Sequence, residues 1–164
     1  FNAFDDVFAV TARTAHNYVF NPDSPYIGMK EDIDTDWCNI VEPCDEANQS
    51  NISRDVFAVR GTVNRGPLMI NLEDLKELNY FDEAFSPQDM DDHDLMFRMR
   101  KKLGKVCGCY WIEVYSEPSW GGTRKSGQTA PWLYKAQHKN CKIFYERNAD
   151  VLEEYRIIEH RELS

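Results

Sequence analysis

An α/β fold is the class this sequence predicts, on three observations. Short runs of β-branched and apolar residues, such as VFAVTAR (7–13), are interspersed with segments whose apolar residues recur every three or four positions. The helical segments carry start or stop signals: an Asn, an acidic cluster or a Pro at the front, a Gly at the back. At 164 residues, 42% hydrophobic and 13% aromatic, the chain has the apolar material to bury one core of ordinary size.

In chain order, Val7–Arg13 reads as a strand. Residues 14–55 carry scattered Asn, Asp, Pro and Ser with few periodic apolar positions, and read as one long irregular stretch. A strand over 56–63 is broken by Asn64-Arg65-Gly66-Pro67, and a short extended segment follows at 68–70. Asn71 is placed to cap a brief helix with Leu72, Leu75 and Leu78 on one face. NYFDEAF (79–85) reads as a turn anchored by aromatic residues, and 91–103 as a helix closed by Gly104. A strand is expected over 105–115 and a Gly-rich loop over 117–128. A longer helix, capped by Thr129, is expected from near Pro131, with Trp132, Leu133, Ala136, Ile143 and Phe144 inward. The last residues, ADVLEEYRIIEHRELS, are charged and compatible with a helix that frays at its end. The domain is therefore expected to span 1–155, with 156–164 a charged tail.

Composition removes several functions. A net charge of −9 repels nucleic acid and anionic lipid, so neither is an expected partner. No apolar run approaches the ~20 residues that span a bilayer, so no transmembrane segment is expected. There is no secretory signal pattern, and the chain opens on Phe1 rather than Met, as a piece of a longer protein would. Five cysteines without a dense framework fit reduced thiols, while two adjacent sequons at Asn48 and Asn51 pull the other way.

The chemistry concentrates at residues 88–94, where four aspartates and a histidine precede a helical pattern. Much of this charge suits the positive end of a helix dipole, about 0.3–1 kcal/mol per group. Asp89 or Asp91 can cap, and Asp94 can pair with Arg98 one turn on. Asp92 is different, because it heads the stripe Leu95, Met96, Met99 and Leu103 and so points to the rim of the core. An ionised acid at a pocket edge is what a general base requires, although a structural role fits the pattern equally. His93 reads as a solvated partner in the acid cluster, and His16, His138 and His160 have no visible partners. The acidic run at Asp32, Asp34 and Asp36 fails as a calcium loop, since Trp37 stands where the sixth-position Gly belongs. Cys107 and Cys109, with Cys38 and Cys44, lack zinc-site spacing and are expected to share a strand face.

VNRGPLMINLEDLKELNYFDEAFSPQDMDDHDLMFRMRKKLGKV (63–106) resembles the second half of family-2-like glycosyltransferases of the GT-A fold. In that family a strand and a Gly-containing stretch lead through a short helix to a G-G-F-D-E-x-F turn, here Asn79 to Phe85. An acidic E-D-x-D-L-x-x-R helix start follows, here Asp91 to Arg98, and then a basic stretch and a strand. KNCKIFYERN (139–148) is similar to the terminal helix of such enzymes. The resemblance implies an inverting transferase that moves a sugar from a nucleotide-diphosphate donor to a carbohydrate or glycolipid acceptor hydroxyl. Asp92 would be the catalytic base and Asp91 would hold acceptor hydroxyls, with Asp in place of the usual Glu.

Asn64, Arg65 and Gly66 lie where the family lines the sugar and acceptor pocket, although a plain turn before Pro67 fits as well. In the 119–124 loop, Gly121 and Gly122 permit movement, Trp120 can stack on a sugar and Arg124 can meet phosphate; an ordinary surface loop fits equally. The family also implies a divalent cation (Mn²⁺ or Mg²⁺), with its main ligands in a nucleotide-binding part expected outside this chain. The downstream His of the family is missing, and Glu117 is the nearest candidate ligand. The location implied is cytoplasmic, at a membrane face, with a secretory-pathway lumen as the alternative. The rival function is a catalytically inactive GT-A-like module that binds carbohydrate or a protein.

Overall fold

The computed structural model describes residues 1–19, 42–64, 66–87, 89–113 and 131–163. The fold is mixed α/β. Strands β1 (Val7–Thr11), β4 (Val56–Arg60), β6 (Leu68–Ile70), β7 (Val106–Tyr110) and β8 (Glu159–Glu162) form one sheet in the order β6-β1-β7-β4-β8. Only β1 and β7 run parallel; the other neighbours are antiparallel. Strands β2 (Thr14–Val19), β3 (Glu42–Asn48) and β5 (Thr62–Val63) form a second, antiparallel sheet in the order β3-β2-β5. The helices are α1 (Leu72–Glu77), a 3₁₀ turn at Glu83–Phe85, α2 (Asp91–Leu103) and α3 (Pro131–Asn148).

The strand expected over 56–63 is two strands. Gly61 lies between them, and a Cβ there would stand 3.0 Å from Asn17 Oδ1 and 3.1 Å from the Tyr155 carbonyl. At this point the chain passes from the first sheet to the second. The side chain of Asn17 accepts the Gly61 N–H (2.8 Å) and exchanges two hydrogen bonds with Ile157, 140 positions away in sequence.

Two expectations fail. Part of the stretch read as irregular, 14–55, is the second sheet. Its strands TAHNYV and EPCDEAN were hidden because they bury polar groups, His16 and Asn17, which a hydrophobic pattern does not register. The charged tail is not a frayed helix either: Glu159–Glu162 pairs with β4 as an edge strand. Alternation explains this, since its exposed residues alternate with half-buried ones, and Arg161 grips Asp6 with two hydrogen bonds (2.7 and 3.0 Å).

Cys107 and Cys109 face the core between the sheet and α2, beside Phe8, Leu95, Met96 and Met99. Burial pushes both thiols up to about 12, so they stay protonated and inert. Gly108 faces the opposite side, where a Cβ would meet the Ala58 carbonyl at 2.3 Å and the Phe57 ring at 2.8 Å. That second face holds Val7, Phe57, Val59 and Val106. A third cluster joins Phe97 of α2 to Phe144 of α3, Tyr18, Phe85 and Met90. Helix α2 therefore has apolar neighbours on two sides, and Asp92 to Phe97 are all buried. Among the described residues, no helix is long and apolar enough to cross a membrane, and Cys44, Cys107 and Cys109 are free thiols.

Candidate functional site

Burial on two sides forces the polar residues of the first turn of α2 to find partners within the protein. They divide into two groups. Asp94, one per cent exposed, accepts from Arg98 Nε (2.7 Å) as the i,i+4 spacing predicts, and from Arg147 Nη1 of α3 (3.2 Å). Arg98 also donates to the carbonyls of Leu78 and Tyr80, and Arg147 to Asp82 Oδ2 (2.8 Å). The Ala84 backbone N–H and the Arg147 guanidinium hold the Asp82 carboxyl below its ordinary value. This network ties α2, α3 and the 78–85 turn together.

The second group faces the three-stranded sheet. Asp92, four per cent exposed, heads the stripe continued by Leu95, Met96 and Met99. Its Oδ1 accepts the His93 backbone N–H (3.0 Å) and lies 3.5 Å from His93 Nδ1. The His93 ring is held at both nitrogens, Nδ1 to the Tyr18 hydroxyl (3.2 Å) and Nε2 to Asn64 Oδ1 (3.1 Å). His16 stands edge-on to both neighbours, its ring centroid 4.9 Å from that of Tyr18 and 5.4 Å from that of His93. Burial, and then the neighbouring His93, push His16 down to about 3, so its ring is neutral.

Asn64 reaches His93 because its backbone is pinned: its N–H donates to the Thr14 carbonyl (2.8 Å), and its own carbonyl accepts from Thr11 Oγ1 (3.0 Å). Tyr18 and His16 reach the site from β2, two positions apart and so on one strand face. The cap of α2 departs from expectation. Met90, not Asp89 or Asp91, occupies the cap position, in left-handed backbone (φ 72°) and without a side-chain cap bond. Asp89 instead accepts the Met90 N–H (2.9 Å) and a bond from Gln137 of α3 (3.1 Å). A left-handed Met costs about 1 kcal/mol or more. It is offset by burial of the Met90 side chain, whose sulfur lies 3.9 Å from the Tyr18 hydroxyl.

The structure thus brings together Asp92 and Asn64 of the predicted set, with Asp91 half-buried at the head of the same helix. Gly66, at φ 96°, holds a left-handed turn that favours glycine, and a Cβ there would meet no protein atom within 4 Å. Arg65, Glu117, Trp120, Gly121, Gly122 and Arg124 lie outside the described residues, as do Asp32, Asp34 and Asp36. His93 is buried rather than solvated, a correction that follows from its place between Tyr18 and Asn64. Sequence reasoning missed His16 and Tyr18; their spacing of two was the available signal, lost in a segment read as loop.

Asp89, Asp92 and His93 offer ligand atoms within 4.8 Å of one another. As a cation site the group fits poorly: both His93 nitrogens have protein partners, and both Asp89 oxygens accept hydrogen bonds. A cation would have to break this network. No family model matches the chain, and no curated protein or solved structure matches it, so the site rests on its own geometry.

Proposed function

We propose that the chain is the acceptor-binding part of an inverting GT-A glycosyltransferase, with Asp92 as the general base. The observation that carries the reading is the inward placement of the Asp92 carboxylate. It sits at a helix N-terminus and at the edge of a polar cluster of His93, Tyr18 and Asn64, while Asp94 two residues on is consumed by arginines. A helix N-terminus favours the ionised carboxylate. The mixed five-stranded sheet is compatible with a GT-A core.

In this reading an acceptor hydroxyl gives its proton to Asp92 as its oxygen attacks the anomeric carbon, and the nucleoside diphosphate leaves. The chain's own part is to hold the base, orient the acceptor through Asp91 and Asn64, and shield the reacting carbon. A divalent cation on the diphosphate would supply Lewis acidity to the leaving group, held by residues outside the described ones. Donor contacts by Trp120 and Arg124 and a cytoplasmic setting at a membrane face belong to the same proposal.

The test is sugar-nucleotide turnover by the purified protein across a donor panel, with Mn²⁺ or Mg²⁺ and with EDTA. Asp92→Asn is expected to lower transfer by about 10²–10⁴-fold, the usual contribution of a general base. A folded parent that binds and turns over no donor would overturn the enzyme reading. Retained carbohydrate binding that ignores Asp92→Asn would instead identify a binding module.

A further inference from the structure

Behind Asp92 stands a second base. We infer that His93 is a positioning residue for Asp92 that also receives the proton Asp92 collects; this rests on the reading of Asp92 above. Two hydrogen bonds set the tautomer. Asn64 Oδ1 is an acceptor, so the ring nitrogen 3.1 Å from it, Nε2, carries the hydrogen. Nδ1 then presents its lone pair, accepts the Tyr18 O–H at 3.2 Å, and lies 3.5 Å from Asp92 Oδ1. The His93 backbone N–H donates to that same Oδ1 at 3.0 Å, so the backbone of His93 fixes the carboxylate beside the ring. His16, forced neutral by burial, adds no competing charge from β2.

The proton inventory closes. The acceptor O–H bond breaks, its proton goes to the Asp92 carboxylate, and its electron pair forms the new glycosidic bond. The bond to the diphosphate breaks with its pair on the leaving oxygen. The Asp92 carboxyl then passes the proton to His93 Nδ1, and the Tyr18 hydroxyl turns from donor to acceptor. The imidazolium keeps its Nε2–H on Asn64 and releases the Nδ1 proton to water as product leaves. The transfer restores the Asp92 carboxylate for the next turnover.

The tautomer can be read without any activity, by ¹⁵N-resolved imidazole NMR of the 164-residue chain, with His93→Gln assigning the signal. A neutral ring protonated at Nε2 is expected; one protonated at Nδ1 cannot take the proton and overturns the inference. Kinetics then separate holding from receiving. His93→Asn keeps an acceptor near the Nδ1 position but lacks a basic nitrogen. It is expected to lower kcat about tenfold or more with KM within about twofold. Full kcat in folded His93→Asn would overturn the relay while leaving Asp92 as the base. An inactive parent would overturn the transferase reading and the relay with it, whereas a ring protonated at Nδ1 or full kcat in His93→Asn overturns the relay alone.

Discussion

Asp92 and Asp94 lie two residues apart on one helix, both fully buried, and keep opposite company. Asp94 is surrounded by guanidinium groups that themselves bind the carbonyls of Leu78 and Tyr80 and the Asp82 carboxylate. Asp92 touches an imidazole that is held by a phenol and an amide. The first arrangement neutralises a charge and locks three elements together; the second keeps a proton acceptor beside other groups able to move protons. One helix start can therefore serve architecture and chemistry at once, because a rotation of two residues turns adjacent carboxylates toward different neighbours.

The sharpest way to break the contrast is to exchange the costs of losing each acid. Asp94→Ala removes the carboxylate shared by Arg98 and Arg147, leaving Arg98 with its carbonyls and Arg147 with Asp82, and breaking a buried pair costs about 3–5 kcal/mol. Because both arginines reach solvent, about 3 kcal/mol or less is expected in urea unfolding.

Acid comes next. His16 is held neutral in the fold, its pKa lowered to about 3, whereas the unfolded chain binds a proton below about 6.5. The stability of burying it neutral is complete above that unfolded value and is lost progressively as pH falls from there toward 3. At about pH 5 the loss is about 2 kcal/mol relative to pH 8, and His16→Gln, which cannot titrate, should lack that component in paired urea titrations.

Tyr18→Phe removes the hydroxyl on His93 Nδ1 and should cost about 1 kcal/mol. Asp92→Asn should cost least, within about 1 kcal/mol, while lowering any transfer by about 10²–10⁴-fold. If Asp92→Asn proved more destabilising than Asp94→Ala, the division of labour between the two acids would be reversed.

Much of this was legible in the chain itself. Asn71, Gly104 and Pro131 mark helix ends that the structure reproduces, and Asn71 accepts the Glu73 and Asp74 N–H groups as a cap should. Asp92 stands three and four positions before Leu95 and Met96, a spacing that points it inward, and it is buried there. The illegible part was polar. His16, Asn17, Tyr18 and His93 are buried through partners distant in sequence, Asn64 among them, and no local pattern announces such a pairing. The 159–162 edge strand was equally obscure, since two of its four residues are charged and half-exposed and its register depends on β4.

The clasp by which Asn17 joins Gly61 to Ile157 has a consequence for how the protein is made. Strand β4 can pair with β7 once Tyr110 has emerged from the ribosome, but its other edge waits for β8, some hundred residues after β4 itself. At about 5–20 residues per second, β4 stays bare on that side for about 3–10 s after β7 appears. An open edge carrying Phe57 and Val59 is a template for a neighbouring nascent chain. Until Ile157 arrives to engage Asn17, the growing polypeptide is most exposed to association with its own copies, and crowding of ribosomes on one message would aggravate it.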